Sequence, residues 1–241
     1  LAPKRDSHLE RARDCAAVTI PHLMPPRGHD GVSKLPQPWQ SVGARGVNNL
    51  AAKLLTSQFP SELAFCKLVV TEEVKTQAQA SGLNVGDLEK ALSRAERILL
   101  EDVEVSGDRS PLSESLKQLI CCGNYLLHAP HDADRVRGFR LDRYVLQRDG
   151  SGNLLDMVLM ETRAYASLEP SERELVQGEH AKEIAGGPRD VEIYTRVYRD
   201  GNRMREYQEI CGRKVPGSDG NYPLDLCPWI ALRMVAIDGE D

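Results

Sequence analysis

Residues 110–128, SPLSESLKQLICCGNYLLH, hold the change of pattern on which the fold turns. Ser110 followed by Pro111 is a helix-start signature: the hydroxyl can accept an unpaired amide, and proline lacks an N–H that the first turn leaves unbonded. Leu112, Leu116, Leu119 and Ile120 then form one apolar stripe, and Gly123 supplies a stop because glycine tolerates the left-handed conformation that ends helices. Beyond Asn124 the pattern becomes a short strand-like run, Tyr125 to His128.

Upstream of this junction the chain reads as helices. From about Lys4 to Val18, Leu9, Ala12, Cys15 and Ala16 recur at helical spacing, and Pro21 closes the pattern. Pro21, Pro25, Pro26, Gly28, Gly31, Pro36 and Pro38 then impose a long loop, since that density defeats regular hydrogen bonding. From Ser41, the residues Val47, Leu50, Ala51, Leu54 and Leu55 predict a second helix, stopped by Phe59 and Pro60. Phe65 to Val70 is a β-favouring run, after which Thr71 caps a polar helix led by Glu72 and Glu73. The most pronounced amphipathic pattern follows, with Leu88, Leu92, Ala95, Leu99 and Val103 on one side. It is expected to bury that stripe within the same domain as the Leu112 to Ile120 helix.

Downstream the chain reads as strands. Gly138 to Gln147 and Leu154 to Glu161 flank an Asp149-Gly150-Ser151-Gly152 turn, and Val191 to Arg199 and Met204 to Cys211 flank Asp200-Gly201-Asn202, a strong hairpin signal. A helical interlude near Ser171 to Gln177 and a polar, glycine-containing loop lie between them, and Trp229 to Ile237 makes a last strand. Helices first and antiparallel strands later give an α+β class, with a mainly helical part at 1–123 and a β-rich part at 124–241.

The composition bounds the function. The 241 residues suffice for one large domain or two small ones, and 5% aromatic content requires an aliphatic core. With 31 Lys plus Arg against 36 Asp plus Glu, the net charge of -5 argues against a surface that grips nucleic acid throughout. No apolar run approaches the roughly 20 residues that cross a bilayer. The six cysteines form neither a C-x-x-C pair nor a disulfide framework and are expected reduced and mostly buried.

Candidate sites compete with plainer readings. Gly43-Ala44-Arg45-Gly46 lacks the Lys and Ser or Thr of a phosphate loop. His128, His131 and Asp132 are conceivable metal ligands, but Pro130 intervenes and no second ligand group accompanies them, which favours a solvated turn. Cys121 and Cys122, close to His128, could offer a thiol nucleophile, yet they end an apolar helix where small buried side chains belong. Arg135, Arg137, Arg140 and Arg143 could meet phosphate or a partner's carboxylates, though Asp132, Asp134 and Asp142 dilute that field and a solvated strand face is the plainer account. No Gly-x-Ser-x-Gly elbow or isolated carboxylate pair occurs. The sequence thus assigns no catalytic, cofactor-binding or metal residue, and no cofactor.

The segment Arg11-Ala12-Arg13-Asp14-Cys15-Ala16-Ala17-Val18-Thr19-Ile20-Pro21, followed by Pro38-Trp39-Gln40-Ser41-Val42-Gly43-Ala44-Arg45-Gly46-Val47-Asn48-Asn49-Leu50-Ala51, resembles the portal proteins, or head-to-tail connectors, of short-tailed bacteriophages. The likeness continues through Leu55 to Pro60, Leu116-Lys117-Gln118-Leu119, Gly123-Asn124, Tyr144 to Asp149 and Gly152-Asn153. It resumes at Gly217-Ser218-Asp219-Gly220, Tyr222-Pro223, Cys227-Pro228, Arg233-Met234-Val235 and Asp238-Gly239-Glu240.

The resemblance implies a non-enzymatic, structural subunit of a dodecameric ring at one capsid vertex of the virion, assembled in bacterial cytoplasm. Such a ring serves genome packaging and ejection as a conduit for double-stranded DNA. It also implies contacts with the major capsid protein, scaffolding protein, terminase packaging motor and tail adaptor proteins, and no membrane. Members of that family are longer than this chain, which matches their N-terminal wing; the stem, clip and crown would follow Asp241, and no DNA-contacting residue is carried over. A non-ring adaptor and an α+β hydrolase are the alternatives from other classes.

Overall fold

The computed structural model describes residues 5–60, 65–131, 135–176 and 190–235. Five helices precede every strand: α1 (Asp6–Val18), α2 (Val42–Gln58), α3 (Glu72–Ala80), α4 (Val85–Ser106) and α5 (Arg109–Cys122). The strands are β1 (Asn124–His128), β2 (Arg137–Phe139), β3 (Tyr144–Arg148), β4 (Leu154–Ala164), β5 (Asp190–Asp200), β6 (Arg203–Ile210), β7 (Arg213–Lys214), β8 (Gly220–Pro223) and β9 (Trp229–Arg233). A further helix begins at 170 and is described as far as 176. The α+β class is as the sequence pattern requires.

The strands form two sheets, one ordered β2-β1-β9 and one ordered β3-β4-β5-β6-β7 with β8 also paired to β6. Every pairing is antiparallel. The run expected as a single strand at 138–147 is divided between them: β2 belongs to the first sheet, β3 to the second, and a 3-10 turn at Leu141–Arg143 joins them. Two interactions hold that turn. Arg140 donates from Nε and Nη2 to the Asp142 carboxylate at 3.2 and 3.1 Å. The Arg5 guanidinium, from the residue before α1, donates to the carbonyls of Leu141, Asp142 and Tyr144.

Other boundaries move for equally local reasons. α5 starts at Arg109, not after Ser110, and its N-cap position is Asp108, whose carboxylate accepts the Val136 amide at 3.2 Å instead of capping its own helix. The β-favouring run at 65–70 forms no strand, and the Leu68 amide binds the Glu96 carboxylate on α4 at 2.6 Å. β9 ends at Arg233; Ile237, like Lys4, Asp132, Asp134, Gln177 and the loop after it, lies outside the described residues.

Three apolar clusters do most of the packing. Leu9, Ala12, Ala16, Leu23, Met24, Val47 and Cys121 bind α1 and α2 to α5. Leu126, Phe139, Tyr144, Met157, Leu159, Val197, Met204 and Trp229 fill the space between the two sheets. Val176, Val191, Ile193, Ile210 and Val215 close the far end of the large sheet. α4 contributes to none of them. The expected burial of its Leu stripe is corrected: no residue of α4 is buried, and Leu99 is 43% exposed. α3, with 9 residues, is its packing neighbour and is too short to cover a helix of 22, while the stripe of α5 is already occupied: Ile120 packs on the cluster under α1, and Leu112 and Leu119 pack with Tyr125 and Leu127 of β1.

One glycine marks where helices come close. A methyl group at Gly43, in the first turn of α2, would lie 2.6 Å from the Val18 carbonyl oxygen at the end of α1, and backbone cannot yield as a side chain does. At Gly46, one turn on, a methyl would meet nothing.

Chemical denaturation tests both points. Leu126→Ala or Leu159→Ala is expected to cost about 2–5 kcal/mol, and Leu99→Ala on α4 less than about 1 kcal/mol. Gly43→Ala should destabilise by about 1–3 kcal/mol through overpacking, whereas Gly46→Ala should gain up to about 1 kcal/mol from helix propensity. Equal effects at the two glycines would show that α1 does not approach α2 this closely.

Candidate functional site

The histidines predicted as conceivable ligands are separated in role. β1 and β9 pair His128 with Trp229, and the two rings stack at 4.2 Å between centroids. His131 places Nε2 2.7 Å from the Leu226 carbonyl. Asp132 is outside the described residues, and among the described residues no group of three His, Cys, Asp or Glu is placed to hold a metal ion. The His128 ring therefore serves as an aromatic cross-strand partner.

Cys121 and Cys122 end α5 against α1. They line a cleft of about 360 Å³ together with His8, Arg11, Cys15 and Arg233. The Cys121 sulfur contacts the Thr19 hydroxyl at 3.4 Å. The hydrogen bond from Cys122 lowers the Cys121 thiol below the ordinary range, against the opposing effect of burial, and that same bond pushes the Cys122 thiol up. None of the six cysteines is in a disulfide; only Cys121 is buried, four are half-buried and Cys15 is exposed, which corrects the expectation that most are buried. The pair is packed as the end of an apolar helix would have it, with a hydroxyl, not an imidazole, as the neighbour of Cys121.

The arginine cluster is spent on bonds within the chain. Arg137 pairs with Glu161 and lies over the Phe139 ring, Arg140 pairs with Asp142, and Arg143 reaches the Thr162 hydroxyl at 3.4 Å. Glu161 and Thr162 lie on β4, so these bonds join the turn between the sheets to the large sheet. Arg135 is exposed.

The sequence reading missed two groups. Along β5, Glu192, Tyr194, Arg196 and Tyr198 alternate with buried Val191, Ile193, Thr195 and Val197. The period of two could have shown that one face carries tyrosines and a guanidinium. Arg196 donates to both Asp156 oxygens at 3.1 and 2.7 Å and to the Tyr207 hydroxyl at 3.5 Å, bonds that raise its affinity for the proton, and it sits 5.0 Å from the Tyr198 ring. The second group is Glu206 on β6, which accepts the Trp229 indole N–H at 2.9 Å beneath the strand pairing. Burial raises its carboxyl above the ordinary range, with the Trp229 and Tyr222 hydrogen bonds opposing. No local sequence signal marks this contact, because 23 residues separate its partners.

The whole chain, residues 1–241, matches the family described as bacteriophage head to tail connecting protein. The chain belongs to that family. It is 37% identical over 242 residues to the portal protein of Escherichia phage T7, covering 98% of this chain and 45% of that protein. It is also 37% identical to the portal protein of Enterobacteria phage T3, covering 100% and 45%, and 34% identical to that of Pseudomonas phage phiKMV, covering 98% and 47%. The connector chain thus spans less than half the length of these relatives. The expected family is confirmed, and the resemblance extends over the helical and the stranded parts alike. Among the described residues no helix is long and apolar enough to cross a membrane.

Glu206 offers a pH test within this connector chain. Its folded-state carboxyl titrates above the unfolded one, so the folded state gains from it only below the unfolded range and loses that gain as pH rises through the folded value. Glu206→Gln keeps an acceptor for the Trp229 indole and should raise Tm at pH 7. The gain should shrink as pH falls below the ordinary glutamate range near 4.5. A Tm difference independent of pH would overturn the assignment.

Proposed function

We propose that the protein is a structural subunit of the phage head-to-tail connector, a ring at the unique capsid vertex that forms the conduit for viral DNA packaging and ejection and the attachment point for the tail. The observation that carries this reading is the family match over the whole chain, 1–241, joined to portal proteins that align with 98–100% of it. Residues 1–123 would supply the helical part and 124–241 the β-rich part of the wing, with a dodecamer as the ring. The partners would be the major capsid protein, scaffolding protein, terminase motor, tail adaptors and the passing double-stranded DNA. The subunit would take no catalytic part; it would assemble in the host cytoplasm and remain in the virion.

The architecture supports a scaffold role. The polar groups that chemistry would require are engaged in holding elements together: His128 on Trp229, Arg137 and Arg163 on Glu161, Arg196 on Asp156. An acidic chain also suits a conduit, since tight phosphate binding would act as a brake on a sliding polyanion.

Antibodies raised against residues 1–241 test the reading on purified virions by electron microscopy. One labelled vertex per opened particle, at the tail, is the expected result, together with DNA-free heads when the gene is deleted. Label spread over all vertices, or filled heads without the gene, would sink it.

A further inference from the structure

Two surfaces of the chain expose large apolar side chains and are opposite in charge. The first is built on α2 and the loop before it. Trp39 is fully exposed, Val42 is 68% exposed, and Val42, Arg45, Asn49 and Lys53 recur at helical spacing on the solvent side of α2, away from buried Val47 and Ala51. From Gly31 to Ser61 the sequence has three cations, Lys34, Arg45 and Lys53, and no Asp or Glu. An indole standing free in water is costly to maintain and is a typical anchor of protein interfaces.

The second surface is α4. Within its stripe Leu99 is exposed and Leu88, Leu92, Ala95 and Val103 are half-buried, and Ile98 beside it is 54% exposed. Helical geometry places Glu89 and Glu96 along one border of the stripe and Asp102 along the other; one Glu96 oxygen already accepts the Leu68 amide, which leaves the other for a cation. Over Val85–Ser106, six acidic residues stand against three basic ones. Spacing matches as well as sign. At about 1.5 Å rise per residue, Arg45 and Lys53 lie ~12 Å apart along α2, and Glu89 and Glu96 ~10 Å apart along α4.

We propose that these surfaces join two copies of the chain: Trp39 and the Arg45–Lys53 face of one copy seat on the α4 stripe of the next. The indole packs on the apolar stripe while the two cations meet the acidic border, so that opposite charges fix the register of an apolar contact. The two surfaces are different, which makes the contact head-to-tail. Each copy then has one of each still to offer, and the series ends only when it closes on itself as a ring. The inference rests on the ring-subunit reading and names the surfaces that would build it.

Photocrosslinking in the whole gene product tests it. Trp39→p-benzoylphenylalanine places a photoreactive ring at a fully exposed position, where the fold does not depend on the side chain. Assemblies are formed from mixed light and 15N-labelled copies, irradiated and digested. The expected products are crosslinks between copies from position 39 to peptides of 85–106, lost when Arg45→Glu and Lys53→Glu are introduced together. Assembled rings that crosslink elsewhere, or only within one copy, overturn this contact and leave the connector reading intact. A gene product that stays monomeric at every concentration overturns both.

Discussion

Gly123 makes the rest of the structure possible, because it turns a helix buried on two sides directly into the central strand of a sheet. Its φ of 79° lies in the left-handed region, its amide closes α5 on the Leu119 carbonyl at 3.0 Å, and its own carbonyl accepts the Met234 amide at 2.8 Å. Leu119 before the turn and Tyr125 and Leu127 after it share one cluster. The helical packing of α1 and α2 on α5 and the pairing of β2 and β9 on β1 are thereby fixed relative to each other by a few residues of backbone. A side chain with a Cβ at this φ would strain the one corner that both halves share.

Much of this was legible in the sequence where the interactions are local. The stripe Leu112, Leu116, Leu119 and Ile120, the stop at Gly123 and the hairpin at Asp200-Gly201-Asn202 depend on spacing and turn chemistry within a few residues, and the structure follows them. The misreadings arise where distant partners decide. Asp108 could not be seen as the helix boundary because Val136, 28 residues on, claims its carboxylate. The break at 140–143 owes its stability to Arg5, 136 or more residues earlier. The α4 stripe misled for a different reason: amphipathicity says that a face seeks cover, not which surface supplies it, and among the described residues the cover is too slight to bury any residue of α4.

The charged residues show the same division. Taken as a list, Arg135, Arg137, Arg140 and Arg143 look like a phosphate-binding cluster. In the fold, three of the four are consumed by Glu161, Asp142 and Thr162. Arg163 likewise reaches both Glu161 and buried Glu172. These networks stitch the connection between the sheets to β4 and leave less positive field at the surface than the composition suggests. The candidate metal and thiol residues were visible as residues, while their roles as a ring stack on Trp229 and as core beneath α1 depended on pairings across 101 and 102 positions, which follow from the numbers of His128 and Trp229 and of Thr19 and Cys121.

The Arg5 clasp also orders events during synthesis. The carbonyls it binds, at Leu141, Asp142 and Tyr144, are made some 136 to 139 residues after it. The core under α1 needs Cys121, and β1 finds β9 only when Trp229 to Arg233 have been translated. At roughly 5–20 residues per second, the first helix emerges from the ribosome many seconds before its permanent neighbours exist. Until then Leu9, Ala12 and Leu23 have only α2 to shelter against, and α4 has only α3. The helical core can therefore close once α5 has been made, whereas the small sheet waits until β9 is available to lie beside β1.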